Sequence, residues 1–281
     1  MKKKWSLVLG GGGAKGAYQL GVWQTLRELR IKFECVIGTS VGALNGALMV
    51  QGAYNEAFDM WHNINLNTVV NVPKELYVNG KLSINKNNLS TLKKVQRDII
   101  KNGGIDTTPL KQTLQSLINE KRIRSSKIDF GIVTYQLNNL KPIEIFKKDI
   151  KDGMLIDYLM ASSTLPGFKF TEIDNKLFFD GGLHDNVPFK FAKESGYNRI
   201  ITIDISGLGV NRKPDVENCY SIYIKNSIDI GNILDFDREV ARKNILLGYL
   251  DSQKVFNKVS GIDYFYKNET KIINELNKIL F

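Results

Sequence analysis

The sequence predicts an α/β fold with a mostly parallel central sheet. Two short apolar runs, Trp5–Leu9 and Cys35–Ile37, each lead into a glycine-rich turn and then into a helical pattern. A third apolar run, Arg199–Ile205, is the clearest strand of the second half. Such alternation of strand, loop and helix is typical of parallel sheets covered by crossover helices. The chain of 281 residues is long enough to bury the core that this fold requires.

The alternation of strands and helices continues to about residue 62 and is not recognisable in the region 63–127. Apolar residues recur at helical spacing from about Gly16 to Arg30, and the small residues of Ala43–Gly52 predict a buried helix. The region 63–127 is polar and rich in Asn and Lys, with weak helical patterns at Leu89–Asn102 and Pro109–Asn119. This region is therefore expected to be a helical insertion at the edge of the domain.

Regular order resumes after residue 127. The further predicted elements are a strand at Ile128–Leu137, a turn at Asn138–Asn139, a partner strand at Pro142–Phe146, a helix at Leu155–Ala161, and strands at Leu177–Phe179 and Tyr220–Ile224. The last forty residues are predicted to be helical. No internal repeat or linker composition is present, which favours one domain.

The charge balance indicates which partners to expect. The chain has 39 Lys and Arg against 29 Asp and Glu, a formal charge of +10, which favours anionic surfaces such as acidic lipid headgroups. No basic block is interleaved with aromatic residues, so nucleic acid is not an expected partner. No apolar run approaches the roughly 20 residues of a membrane span. We expect peripheral contact with an anionic membrane, made from the water side.

The N-terminus and the cysteines bear on location. Lys2–Lys4 followed by Trp5–Leu9 could open a signal peptide, but the apolar run ends at Gly10 and no A-x-A-like cleavage site follows. Two cysteines, Cys35 and Cys219, do not form a disulfide framework in a chain of this length. We expect a cytoplasmic protein.

The glycine-rich loop Gly10–Gly16 predicts an anion site. It lies between a strand and a helix, where unpaired N–H groups and the helix dipole face one point. The loop is not a Walker motif, because its lysine precedes the last glycine and no Ser or Thr follows. Its anion is a phosphate or an oxyanion that forms during a reaction.

A dinucleotide site is the alternative interpretation of this loop. Gly11, Gly13 and Gly16 satisfy the G-x-G-x-x-G pattern, which also requires an acidic residue at the end of the second strand. The second strand leads instead into Gly38, and the nearest acid, Glu34, precedes it. The dinucleotide interpretation is therefore disfavoured.

A G-x-S-x-G motif follows the second strand. Gly38, Ser40 and Gly42 occupy a strand–turn–helix junction, where a sharp turn exposes the serine and small neighbours relieve crowding. The plain alternative is a tight turn with an unused serine. The adjacent glycine loop favours a nucleophile, because acyl transfer requires both a nucleophile and oxyanion donors.

A carboxylate motif closes the predicted strand Leu177–Phe179. Asp180 stands at the strand end, and Gly181 and Gly182 leave space beside it. Such a carboxylate suits a catalytic base, although an Asp that binds its own backbone in a turn is the simpler interpretation of the motif alone.

The histidines argue against a Ser–His–Asp triad. In the α/β-hydrolase order the histidine follows the acid, and the chain contains only His62 and His184. His62 is expected at a helix end, and His184, in the turn after Asp180, at the rim of the site or outside it. The residues thus supply a serine, an oxyanion loop and an aspartate, but no convincing histidine.

The chain resembles the patatin-like phospholipases of the bacterial type. The family motifs occur in the family order: G-G-G-x-[RK]-G at Gly11–Gly16, G-x-S-x-G at Gly38–Gly42 and D-G-[GA] at Asp180–Gly182. The segments Ala161–Phe168 and Asn186–Pro188 also resemble the family. The resemblance implies a three-layer α/β/α fold and a serine acyl hydrolase.

The resemblance also assigns the domain and the catalytic roles. It implies a catalytic domain at 5–205. The middle region and the C-terminal third carry no family signature, and the weak patterning of the region at about 63–127, which includes Leu76–Val78, makes it a candidate lid or channel wall. The residues 206–281 are expected to pack on the same domain. Ser40 is the expected nucleophile and Asp180 its base. The expected oxyanion loop comprises Gly11, Gly12, Gly13, Lys15 and Gly16, with N–H groups of Gly12 and Gly13, and Val41 as an additional candidate.

The substrate expected from the resemblance is a phospholipid or another acyl ester, with no metal and no cofactor. Two alternatives remain open at this point. A short-chain carboxylesterase or thioesterase would use the same Ser40–Asp180 dyad with a different acyl pocket. A non-catalytic module would use the glycine loop to bind a phosphate or a nucleotide.

Overall fold

The computed structural model describes residues 5–71, 77–78, 81–82, 97, 99–101, 103–260 and 265–266. The helices described over their full length are α1 (Ala17–Glu28), α2 (Val41–Gln51), α3 (Tyr54–His62), α4 (Thr108–Leu117), α5 (Glu120–Ser125), α6 (Leu155–Ser162), α7 (Phe189–Glu194) and α8 (Arg238–Val255). The strands are β1 (Trp5–Leu9), β2 (Phe33–Thr39), β3 (Tyr77–Val78), β4 (Lys81–Leu82), β5 (Asp129–Gln136), β6 (Lys141–Phe146), β7 (Thr171–Ile173), β8 (Lys176–Asp180), β9 (Arg199–Asp204), β10 (Tyr220–Lys225), β11 (Val259–Ser260) and β12 (Phe265–Tyr266).

A mixed, mostly parallel sheet forms the centre of the fold. Its strand order is β10-β9-β1-β2-β5-β8-β7, and β6 also pairs with β5. The pairings from β10 to β5 are parallel, whereas β6, β8 and β7 are added in antiparallel pairings. The predicted α/β class with a mostly parallel sheet is confirmed.

Apolar residues on both faces of the sheet make a three-layer structure. In β1, Leu7 and Leu9 pack into the larger core with α1, α2 and α8, while Val8 packs into the opposite core beneath α7. All three side chains are fully buried, as expected for a strand covered on both faces. The period-two alternation of side chains therefore divides one strand between two cores.

Some predicted elements differ from the structure. The prediction of a helical C-terminus is correct for α8 but wrong for the described residues beyond it, where β11 pairs with β12. The helix ends because Asn257 adopts a left-handed φ of 55°, and Lys258 N donates to Gln253 O at 2.8 Å. The patterns of the short elements α7 and β7 were too brief to be recognised.

The weakly patterned region is only partly described. The predicted helix at Pro109–Asn119 is α4, and the described residues of the other helix, at Leu89–Asn102, are 97 and 99–101, which are helical. The strands β3 and β4 pair antiparallel. Leu76 lies outside the described residues.

The register of the sheet places Ser40 and Asp180 at the same edge of the sheet. Thr39, the residue before Ser40, pairs with Val133 of β5, and Thr134 of β5 pairs with Asp180 of β8. The ends of β2 and β8 therefore lie on either side of β5, with about 10 Å between the two outer strands. Side chains of ordinary length can meet across this gap.

Candidate active site

The turn after β2 presents Ser40 in a strained conformation. Ser40 has φ 55° and ψ −130°, a region that residues other than glycine avoid, and α2 begins at the next residue. Such strain costs of order 1–3 kcal/mol and is typical of functional sites. Gly38 and Gly42 make the turn possible, because a Cβ at Gly38 would collide with the Gly42 backbone.

Ser162 fixes the backbone of the turn. The N–H of Ser40 donates to Ser162 Oγ at 2.9 Å, and the Ser162 hydroxyl donates to Val133 O at 2.6 Å. Both serines are buried. No acidic residue lies in the first turn of α2, so the positive end of the helix dipole faces the site without compensation.

Asp180 is a buried carboxylate with one free oxygen. Its Oδ1 accepts from Gly182 N at 2.7 Å, while Oδ2 has no well-formed hydrogen bond to any described residue. Burial raises the pKa of Asp180 from 3.8 to about 6, and hydrogen bonding by Ser40 and by the Gly182 backbone opposes the rise. The turn at Asp180–Gly182 thus uses Oδ1 to accept from its own backbone, and Oδ2 remains available to the Ser40 hydroxyl.

The Ser40–Asp180 contact is loose in the free protein. The Ser40 hydroxyl is near enough to Asp180 to lower the pKa of its carboxyl group. The two side chains nevertheless do not form a well-aligned hydrogen bond, and Asp180 Oδ2 has no such bond to any described residue. Catalytic hydrogen bonds are often long without substrate and shorten when it binds. The Asp180 backbone is held more firmly, because its N–H donates to Thr164 O at 2.9 Å.

The glycine loop packs directly against Ser40. A Cβ on Gly11 would lie 3.0 Å from Ser40 Cβ, and Gly13 lines the same cavity as Ser40. Within the described part of the chain, the N–H groups of Gly12 and Gly13 have no acceptor. Gly13 has φ 55°, and a Cβ there would collide with Ile233 O, so this position requires glycine.

The other residues expected in this loop have supporting roles. Gly11 N donates to Asn186 O at 3.0 Å, so its N–H is not available to a ligand. The ammonium group of Lys15 donates to Ser206 O at 2.9 Å and ties the loop to the end of β9. Gly16 allows close packing, because a Cβ would collide with Val41. The geometry thus leaves Gly12 and Gly13 as free donors.

Asn186 links the glycine loop to the aspartate loop. Besides accepting from Gly11 N, it donates from its own N–H to Val210 O at 2.8 Å, and its side chain donates to Gly11 O at 3.3 Å. Val210 N donates to Gly182 O at 2.8 Å. The sequence placed Asn186 near the motif, but its role as a cross-link depends on contacts that no local pattern reveals.

An apolar channel of about 60 Å³ leads away from Ser40. One wall is the face of α2 carrying Leu44 and Leu48, and Trp61, Leu114, Leu117 and Phe168 contribute further lining. Leu48 is the last residue of α2 that lines the channel. A helix rises 1.5 Å per residue, so the channel extends roughly 12 Å along α2 from Ser40.

A second cavity, of about 320 Å³, opens beside Asp180 and Gly182. It is lined by apolar residues of three other segments, at 165–166, 208–210 and 233–234. Ser40 lines the channel, Asp180 lines this cavity and Leu165 lines both, so the two spaces adjoin beside the motif residues.

The histidines do not complete a triad. His62 ends α3 and stacks on Phe58, with ring centroids 5.2 Å apart. His184 Nε2 lies 3.5 Å from Glu144 Oε1, and burial raises the pKa of Glu144. In the described chain, neither histidine forms a hydrogen bond with Ser40 or Asp180.

A sequence model described as patatin-like phospholipase matches residues 7–193. Among curated relatives, patatin-like phospholipase domain-containing protein 7 of Mus musculus is 24% identical over 204 residues, covering 71% of this chain and 13% of the relative. Lysophospholipase NTE1 of Candida glabrata is 28% identical over 207 residues, covering 72% of this chain and 10% of the relative. The solved structure of VipD from Legionella pneumophila superposes with a TM-score of 0.49 at 14% identity, covering 90% of this chain and 67% of that chain.

The fold and site define an α/β protein in which a strained serine turn lies beside a glycine-rich loop. The chain belongs to the patatin-like phospholipase family. The match spans about one-eighth of the length of the first curated relative. No helix among the described residues is long and apolar enough to cross a membrane.

Proposed function

We propose that the protein hydrolyses acyl esters of phospholipids through a Ser40–Asp180 dyad. The observation that carries the proposal is the arrangement around one point of a strained serine, a buried carboxylate with a free oxygen, and two unpaired N–H groups. These are the nucleophile, base and oxyanion donors that acyl transfer requires.

The proposed reaction has two acyl-transfer steps. Asp180 takes the hydroxyl proton as Ser40 Oγ attacks the ester carbonyl, and the N–H groups of Gly12 and Gly13 bind the oxyanion. The tetrahedral intermediate then collapses to acyl-Ser40, and the leaving alkoxide takes the proton from Asp180. Water attacks the acyl-Ser40 carbonyl with Asp180 again as base, which releases the fatty acid and restores Ser40.

The raised pKa of Asp180 supports this role. A carboxylate with a pKa of about 6 is a stronger base than an ordinary aspartate and is still largely ionised at neutral pH. The tie between Lys15 and Ser206 supports a positioning role for the lysine rather than contact with the substrate.

The apolar channel favours a lipid acyl group. Its lining is almost entirely apolar, and its length along α2 exceeds what a short acyl group would fill. The same dyad on a short-chain ester or thioester is the second candidate, favoured only by the narrowness of the free channel.

The decisive experiment measures fatty-acid and lysolipid release from vesicles of phosphatidylcholine and phosphatidylglycerol by mass spectrometry. Ser40→Ala should lower release by about three orders of magnitude or more, Asp180→Asn nearly as much, and the double variant scarcely further, because residues acting as a unit are not additive. Additive losses would refute the dyad.

Labelling by a fluorophosphonate separates the alternatives. Labelling that is lost in Ser40→Ala, without lipid hydrolysis, would indicate the short-chain esterase. If the protein neither releases fatty acid nor reacts with the probe, the site is a non-catalytic anion-binding module.

A further inference from the structure

The mouth of the second cavity has an unusual concentration of exposed apolar side chains. Leu183, Leu208, Val210 and Leu234 are exposed by 48%, 73%, 43% and 48%, and all four line the cavity that opens beside Asp180. Clustered apolar residues at one opening differ from the scattered exposed residues of an ordinary surface and mark an interaction site. These four residues are named the apolar rim.

Two further aromatic residues extend the apolar rim. Phe170 is 42% exposed, and its ring centroid lies 6.0 Å from that of Phe179, which lines the same cavity. The four residues of the apolar rim come from three segments of the chain, Phe170 precedes β7, and Phe179 lies in β8. The opening is therefore apolar on several sides.

Positive charge lies next to the apolar rim. Arg212 and Lys213 follow Val210 in an exposed loop, and Lys169 precedes Phe170. Among the described residues Arg212 and Lys213 have no ion-pair partner, while the neighbouring acid Asp215 is paired with Lys193 at 2.6 Å. Asp235, next to Leu234, accepts hydrogen bonds from Asn232.

We propose that the apolar rim is the surface by which this protein docks onto an anionic lipid bilayer, with its leucines entering the interface and Arg212 and Lys213 against the headgroups. The inference rests on the proposed function and specifies how the active site reaches its substrate. Apolar side chains gain free energy on leaving water, and each basic residue near an anionic surface adds about 1 kcal/mol. The formal charge of +10 favours the same surface.

The docking surface also explains the position of the dyad. A lipid that leaves the bilayer through this opening meets Asp180 first and Ser40 next, and the channel beyond Ser40 can take up its acyl chain. The substrate therefore passes from one apolar environment to another without crossing water.

The test measures vesicle binding in a Ser40→Ala background, so that no lipid is consumed. The vesicles contain equal parts of phosphatidylcholine and phosphatidylglycerol, and binding is measured by flotation. Adding Leu208→Ser and Leu234→Ser should lower the partition coefficient about tenfold. A matched control carries Leu140→Ser and Val216→Ser, residues exposed by 70% and 52% that do not line the cavity, and should change binding less than about twofold.

A second pair of variants tests the charge. Arg212→Gln with Lys213→Gln should weaken binding to the mixed vesicles about tenfold and leave binding to pure phosphatidylcholine unchanged. Equal losses on both vesicles would overturn the electrostatic part of the proposal.

Other outcomes overturn the docking surface itself. Equal binding by the rim and control variants, or no binding in the Ser40→Ala background, would refute it. A dimer in solution that the rim substitutions dissociate would show that a second copy covers the apolar rim.

A separate assay distinguishes failure of this inference from failure of the proposed function. The rim variant with Ser40 restored should hydrolyse a dispersed short-chain ester at the normal rate, which also shows that it folds. Normal hydrolysis without rim-dependent binding refutes only the docking surface. Rim-dependent binding without any hydrolysis refutes only the proposed function.

Discussion

Ser162 Oγ lies 2.9 Å from the backbone nitrogen of Ser40 and accepts its N–H. The same hydroxyl donates to Val133 O at 2.6 Å, so one side chain connects the turn at Ser40 to β5. Two residues further on, Thr164 O accepts the N–H of Asp180 at 2.9 Å. The end of α6 and the residues after it thus hold the backbones of both proposed catalytic residues.

Replacing Ser162 by alanine should impair catalysis more than folding. The substitution leaves the N–H of Ser40 without an acceptor, which costs about 1–3 kcal/mol and lets the strained turn relax. We expect kcat on a dispersed ester to fall about tenfold or more while KM changes little, as measured by steady-state kinetics alongside thermal melting.

Ser163→Ala provides the control for this prediction. The Ser163 hydroxyl donates only to Leu159 O, within the preceding helix, and is buried like that of Ser162. A similar loss of kcat in both variants, at similar loss of stability, would reduce Ser162 to a general packing role.

The pH dependence of kcat/KM should follow the ionisation of Asp180. Its pKa is raised by burial to about 6, and the base must be ionised to accept the Ser40 proton. Activity is therefore expected to rise with pH to a half-maximal value near pH 6 and to level off above pH 7. An ordinary aspartate would give a half-maximal value near pH 4.

Asp185 requires a control, because burial also raises its pKa to about 6. Its Oδ1 accepts from Val187 N at 3.2 Å, and no hydrogen bond joins it to Ser40 in the described residues. Asp185→Asn should keep the rise near pH 6. If the rise disappears in this variant, the titrating group is not Asp180.

Asp180→Asn should stabilise the protein at alkaline pH. The pKa of the Asp180 carboxyl is higher in the folded protein than in the unfolded chain, so its ionisation destabilises the folded state. This destabilisation begins above about pH 4, grows until about pH 6 and is constant at higher pH. The cost corresponds to about 3 kcal/mol when the carboxyl is fully ionised. Urea unfolding at pH 8 should show most of this gain, and the difference should shrink as the pH is lowered toward 4.

The exposed acid Asp149 supplies the comparison for that experiment. Asp149→Asn removes an aspartate charge at an exposed position and should change the free energy of unfolding at pH 8 by less than about 0.5 kcal/mol. A variant Asp180→Asn that is less stable than the parent at pH 8 would contradict a buried, poorly compensated charge.

Leu117→Trp should shift the preference of the enzyme toward esters with shorter acyl chains. Leu117 lines the channel from the last turn of α4, and a larger ring there would fill space that a long chain needs. In a series of 4-nitrophenyl esters, kcat/KM for long acyl chains should fall about tenfold or more, while short esters are unaffected. A uniform loss across the series would indicate a folding defect.

Much of the site could be predicted from sequence because its chemistry is local. The turn at Gly38–Gly42 and the loop at Gly10–Gly16 each require glycines at fixed spacing between a strand and a helix, so the pattern itself indicates the geometry. Asp180 was identified by its position at a strand end. The parallel order of β1 and β2 followed from the same alternation.

The remaining features depend on contacts between distant segments. Ser162 meets Ser40 across 122 positions of the chain, and Asn186 meets Gly11 across 175. The channel joins α2 to α3 and α4, whose lining residues look like ordinary core residues in sequence. The antiparallel direction of β8 was likewise hidden, because a five-residue strand pattern contains no information about its partner.

The backbone hydrogen bonds of Asn186 have a mechanical consequence. Val210, at the outer loop, accepts from Asn186 N, and Asn186 O in turn accepts from Gly11 N, next to the oxyanion donors. These links are backbone to backbone, so no side-chain rotation can absorb a displacement between them. A displacement of the outer loop is therefore expected to reach the glycine loop as a change in backbone strain, which couples the proposed docking surface to the proposed oxyanion donors.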